Sequence, residues 1–219
     1  MYVCRNEVGS VEDAWYEISV YDGTALSLRD KITGDGIIVS MDAHGGDLAY
    51  SCAGLGVENL LIVQDMTGTD PYGLRQWTFE ELFGTDASAA GPGIMDVTLN
   101  NGILTTTNRG TFMRSRRIDL TDRTTEHPAP TSITSGQVTL KAAVSAYDPI
   151  HDCFLYINST VSPVMQVVDR TGKRIGSTRA LDKKTTEIPY FDGATFWHSE
   201  TGYIGYMSKN VVDFLPANT

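Results

Sequence analysis

Several of the residues that staple, anchor or ligate are scarce in this chain, and each shortage removes a class of protein. Three cysteines in 219 residues, Cys4, Cys52 and Cys153, form neither a close pair nor a CxxC, which argues against a closed disulfide framework and points to a reducing compartment. No apolar run approaches the roughly 18 residues of a membrane-spanning helix, and Met1 to Glu7 lacks the basic and apolar segments of a secretory signal. Only four histidines occur, His44, His127, His151 and His198, with no Gly-x-Ser-x-Gly or His-Glu-x-x-His, so neither a triad nor a zinc hydrolase is signalled. Gly54-Leu55-Gly56 has no following lysine and no helix start to make a phosphate loop. Basic residues are also few, 17 against 27 acidic, for a net charge of -10. A surface of that sign repels phosphate backbones and anionic lipid, which excludes nucleic acid and membrane as general partners.

What the chain has in quantity is β structure. A hydrophobic fraction of 41% is enough for a core, and it is arranged in short runs of Val, Ile, Thr, Tyr and Phe punctuated by Gly, Asn, Asp and Pro. The one helical piece expected is Thr78 to Phe83, followed by an exposed small-residue loop from Gly84 to Gly93. Asn158-Ser159-Thr160 has the form of a glycosylation sequon and reads as a turn.

The runs repeat. Asp-x-Thr follows an apolar strand at Asp22, Asp65, Asp119 and Asp169, at intervals of 43, 54 and 50 residues. Aspartate bonds to backbone two residues on and glycine accepts positive φ, so each motif predicts a hairpin. A leading aspartate precedes a later one in the pairs Asp42/Asp65, Asp96/Asp119, Asp148/Asp169 and Asp192/Asp213, by 23, 23, 21 and 21 residues. Each unit thus reads as a four-stranded antiparallel meander, whose two faces are buried only against neighbouring copies.

With its hairpin Val167 to Ile175 after the segment Asp148 to Ile157, the chain resembles β-propellers of the irregular-repeat kind, without the Gly-His and Trp-Asp pairing of WD repeats or the kelch double glycine. The resemblance implies an all-β fold, one propeller domain over residues 1–219, with five four-stranded blades or, alternatively, four. A β-sandwich is the competing architecture. Only two strands fit before Asp22, so the first unit lacks its leading strand, and Val211 to Leu215 is expected to supply it and close the ring.

In such a ring Asp42, Asp96, Asp148 and Asp192 fall at equivalent points near the axis, where the resemblance to five-bladed glycoside hydrolases implies Ca²⁺ binding or acid–base work. Each also sits in an evident turn, and turn bonding is the stronger expectation. Asp42, His44 and Asp47 have a spacing that could hold a metal, as could His151, Asp152 and Cys153, although adjacent strand residues face opposite ways. Arg109, Arg114, Arg116, Arg117 and Arg123 gather in one stretch, with Arg114 and Arg116 on one strand face, and offer a docking patch for an acidic partner. Among the late aromatics Tyr190, Phe191, Phe196, Trp197, Tyr203 and Tyr206, some fill the core; Trp197 and Tyr203 are candidates for stacking on sugar rings.

No catalytic set and no cofactor emerge from these residues. The expected function is a structural or interaction module that docks protein subunits of a larger assembly. By analogy with the propellers of short-tailed phage nozzles, this would be a bacteriophage tail or head–tail component, found in the virion or, before assembly, in the cytoplasm. The alternative is a glycan-binding or glycoside-hydrolysing propeller.

Overall fold

The computed structural model describes residues 1–8, 14–22, 24–54, 57–84, 94–108, 115–132, 143–148, 153–158, 164–169, 173–180, 203–208 and 211–216. Its strands form five antiparallel sheets, each a meander in chain order. The first comprises β1 (Tyr2–Val8), β2 (Ala14–Tyr21) and β3 (Leu28–Asp35). The second comprises β4 (Ile37–His44), β5 (Asp47–Gly54), β6 (Val57–Asp65) and β7 (Leu74–Thr78), followed by helix α1 (Phe79–Phe83). The third holds β8 (Ile94–Asn100), β9 (Ile103–Asn108), β10 (Ser115–Asp119) and β11 (Thr131–Ser132). The fourth holds β12 (Ala143–Asp148), β13 (Cys153–Asn158), β14 (Val164–Asp169) and β15 (Arg174–Ala180), and the fifth β16 (Tyr203–Ser208) and β17 (Val211–Pro216). Successive meanders, with β4, β8 and β12 side by side, replace the sandwich alternative of two facing sheets.

The expected turn chemistry is present. Asp65 Oδ1 accepts the N–H and hydroxyl of Thr67 at 2.8 and 2.6 Å, and Asp119 Oδ1 accepts the same two groups of Thr121 at 3.1 and 2.5 Å. Asp22 Oδ1 accepts the N–H groups of Thr24 and Ala25, both at 2.8 Å. In the fourth sheet Asp169 Oδ1 takes the Lys173 N–H at 2.9 Å, which closes β14 onto β15. The helix starts on a capping box, Thr78 with Glu81, and its Phe79, Leu82 and Phe83 are buried.

Alternation along the strands puts one apolar row on each face, and these rows form two cores between sheets. Tyr16 and Ile18 of β2 pack with Ile38 of β4, Leu48, Tyr50 and Cys52 of β5 and Ile62 of β6, with Tyr2, Cys4 and Ile32 alongside. Leu61, Val63 and Trp77 pack in turn against Val97, Leu99, Leu104 and Ile118 of the third sheet, together with α1. Each fully buried side chain of this size contributes roughly 1.5–3 kcal/mol.

Strands β1, β2 and β3 therefore face β4, β5 and β6 as β5, β6 and β7 face β8, β9 and β10. The first sheet corresponds to the second, third and fourth strands of a unit, as the position of the Asp22 hairpin predicts. The closing strand is different. Among the described residues β17 pairs with β16, where the repeat predicts pairing with β1.

Candidate functional site

The side chains of Ser40, Asp42 and His44 lie two residues apart on β4 and so project from one face of it. Opposite them runs the free edge of β8. Ser40 Oγ accepts the Val97 N–H at 3.2 Å, Asp42 Oδ2 the Leu99 N–H at 2.8 Å and His44 Nδ1 the Asn101 N–H at 3.1 Å. Three side chains thus serve as the strand that β8 lacks, satisfying edge donors that would otherwise be lost in the seam. On the other side of β4, Asn6 of β1 makes a paired contact with Ile38, its Nδ2 donating to the carbonyl and its Oδ1 accepting the N–H, both at 2.9 Å.

The expectation that Asp42 is turn punctuation is corrected by this geometry. It lies inside β4, opposite Ala49, and the turn is Gly45-Gly46 with φ of 63° and 94°. Its second oxygen accepts the N–H of Ala43 at 2.8 Å. Burial pushes its carboxyl above the ordinary aspartate range, against the pull of the Leu99 and Ala43 N–H groups and of His44.

The leading aspartates are also not equivalent. Asp42 pairs with Ala49 two residues short of its turn, Asp96 pairs with Thr107 four residues short of Asn101-Gly102, and Asp148 is the last residue of β12, opposite Cys153. Their positions fall at different levels of successive strands, which removes the basis for a ring at one level. The side chains of Asp96 and Asp148, and all of Asp192, lie outside the described residues.

Beside the seam is an ionic cluster. Arg123 donates from both terminal nitrogens to Asp47, at 3.1 and 2.5 Å, and from Nη1 to Asp70 Oδ2 at 2.9 Å. Arg75 grips Asp70 from the other side, through Nη1 to Oδ2 and through Nη2 to Oδ1 at 3.1 Å. Asp47, Asp70 and Arg75 are buried, whereas the Arg123 side chain is 39% exposed. Although burial raises the Asp70 carboxyl, the Tyr72 N–H and the two arginines hold it below its usual range. Arg123 arrives on the segment after β10, which crosses the second sheet: Arg75 Nε donates to the Glu126 carbonyl, Trp77 Nε1 to that of Pro128 and Tyr72 Oη to that of Thr124, at 3.1, 3.1 and 2.9 Å.

Seam and cluster together frame a depression of about 350 Å³, open to solvent and lined by His44, Gly45, Asp47, Asn101, Thr121 and Arg123, with Gly102 and Leu120. This is the candidate site. The proposed metal donors do not converge in it, since Asp42 turns to β8 and Asp47 to Arg123; no cluster of three metal-ligating side chains occurs among the described residues.

The arginine stretch is split by the fold. Arg123 is an internal ion-pair partner and no member of an outer docking patch. Arg116 donates through Nε to the Leu82 carbonyl at 2.6 Å and lies over the Phe83 ring, tying β10 to α1. Arg117 pairs with Asp119 at 2.8 Å. Arg109 and Arg114 lie outside the described residues, as does Trp197; Tyr203 is on β16 and its side chain is not described.

Two signals in the sequence mark this site and escape the repeat search. Asn101-Gly102 is a strong two-residue hairpin dipeptide, and it takes φ of 45° and 74°. Asp122-Arg123-Thr124 repeats the tripeptide Asp169-Arg170-Thr171 three residues after Asp119, and Asp122 Oδ1 accepts the Thr124 N–H at 2.9 Å. The choice of Asp47 and Asp70 as partners, 76 and 53 residues away, has no local signal.

No protein-family model matches the chain, and no curated protein matches it. Solved structures do. TolB from Acinetobacter baumannii aligns with 100% of the chain and 50% of its own length, at a TM-score of 0.58 and 17% identity. Hsv2 from Kluyvelomyces marxianus aligns with 100% of the chain and 60% of its own, at 0.54 and 11%, and the WD40 domain of Toxoplasma gondii coronin with 93% and 50%, at 0.56 and 11%. The chain spans about half the length of the structures it matches. At such identities the likeness is one of fold, and the fold is an all-β propeller.

Proposed function

We propose that this chain is a non-catalytic interaction module whose propeller docks protein subunits, and that its setting is a bacteriophage virion, as a tail or head–tail component that passes through the cytoplasm before assembly. The observation that carries the first part is the use made of the inner-strand polar groups. Ser40, Asp42 and His44 direct their acceptors at the backbone of β8, and the buried charges Asp47 and Asp70 are matched by Arg123 and Arg75. Groups engaged in this way build a rigid scaffold, and acid–base work would call for a carboxylate facing a substrate. The virion setting is supported by architecture alone, since propellers occur in short-tailed phage nozzles.

The test is assembly. Light scattering on the concentrated chain, with mass spectrometry of purified particles from the source culture, is expected to find it in stoichiometric amounts in a larger complex. A chain that stays monomeric and is absent from particles would overturn the proposal. So would sugar binding or hydrolysis that is lost in Asp148→Ala while assembly is retained.

A further inference from the structure

The depression between the second and third sheets has two hydrogen-bond donors with no acceptor among the described residues. His44 Nδ1 accepts the Asn101 N–H, so in the neutral imidazole the proton resides on Nε2, which becomes a donor at the edge of the depression. Arg123 uses Nη1 and Nη2 on Asp47 and Asp70, and its Nε–H makes no bond with a described residue. Both side chains line the same open space of about 350 Å³. Arg123 is held by two buried carboxylates and His44 by the seam, so neither donor has to be ordered when a ligand arrives.

We infer that this depression is a docking pocket for a carboxylate side chain, an aspartate or glutamate presented by a protein partner. A carboxylate offers two coplanar acceptor oxygens, one for each donor, and charge-assisted bonds of this kind are about twice as strong as neutral ones. The pairing of Asp47 and Asp70 with Arg123 and Arg75 balances two negative charges against two positive ones, so the cluster itself does not repel an anion. The volume accommodates a side chain of this size and little more. The inference rests on the interaction-module proposal but names a chemical group, and it is testable without a partner.

The experiment titrates the intact chain with succinate, and separately with neutral succinamide, while following the backbone amide resonances of Asn101, Gly102 and Thr121. Saturable shifts with succinate at a dissociation constant on the order of millimolar are expected, and none with succinamide. Two variants separate the pocket from the fold. In His44→Asn the side-chain oxygen still accepts the Asn101 N–H but the outer donor is gone, so succinate should bind about tenfold more weakly at an unchanged Tm. In His44→Gln the terminal amide reaches the place of Nε2, so succinate binding should persist while the Tm falls. Equal affinity for succinamide, no saturable shift in the wild-type chain, or undiminished binding in His44→Asn would overturn the inference. None of these results bears on whether the chain assembles, so failure here and failure of the interaction reading are distinct.

Discussion

The carboxylate of Asp42 on β4 accepts the backbone N–H of Leu99 on β8 at 2.8 Å, across the seam between two sheets. Between its flanking contacts at Ser40 and His44 it is the central rung of three, and its other oxygen takes the N–H of Ala43. Asp42→Ala leaves two N–H groups without an acceptor and is expected to lose about 1–3 kcal/mol in urea unfolding. Asp42→Asn keeps one acceptor and removes a half-buried charge, and its loss should be under about 1 kcal/mol. Equal losses in the two variants would show that the charge, and not the acceptor, is what the seam needs.

Removing Arg123 strands buried charge. Asp47 loses its ion partner entirely and Asp70 keeps only Arg75. Arg123→Gln is expected to destabilise by about 3 kcal/mol, toward the low end for a broken buried pair because the arginine is partly exposed. Adding Asp47→Asn to it should recover a large part of the loss. A double-mutant cycle by denaturant titration measures the coupling.

Acid should weaken the protein through its hairpin aspartates. Burial raises the Asp65 carboxyl, but the N–H groups of Asp70, Thr67 and Thr69 and the Thr67 hydroxyl outweigh this and bring it down to about 2. The unfolded carboxyl sits near 3.9, so the unfolded chain binds the proton more tightly. The contribution of Asp65 is whole above about pH 4 and fades as pH falls toward about 2. Asp42 acts with the opposite sign: its raised carboxyl favours the fold at low pH, and that contribution fades as pH rises through the folded value. Stability measured against pH should fall less steeply below pH 4 in Asp65→Asn than in the wild-type chain, and an unchanged slope would refute the assignment.

The two glycines of the β4–β5 turn should differ. Both have positive φ, so alanine costs about 1 kcal/mol at either. A Cβ at Gly45 meets nothing within 4 Å, whereas one at Gly46 runs into the Thr67 methyl. Gly46→Ala should therefore lower Tm clearly more than Gly45→Ala, and Gly46→Ala combined with Thr67→Ser should recover much of the difference.

The sequence by itself determined the β class, the hairpins and the phase of the first sheet, because these depend on local chemistry. Aspartate bonding two residues ahead at Asp22, Asp65 and Asp119, glycine at positive φ and period-two alternation all act within one turn or one strand. The helix was legible for the same reason, with Thr78 and Glu81 capping it from three residues apart. Tertiary structure decided the roles of the polar side chains. Asp42 reads as a turn residue in isolation, and only the free edge of β8, 57 residues away, makes it a seam acceptor. Arg123 reads as part of a basic surface, and only Asp47 and Asp70, carried there by other strands, make it internal. Local bonding is encoded by neighbours in the chain. An unpaired edge donor or a buried charge is satisfied by whatever the packing of sheets brings within reach, and spacing along the chain does not specify that.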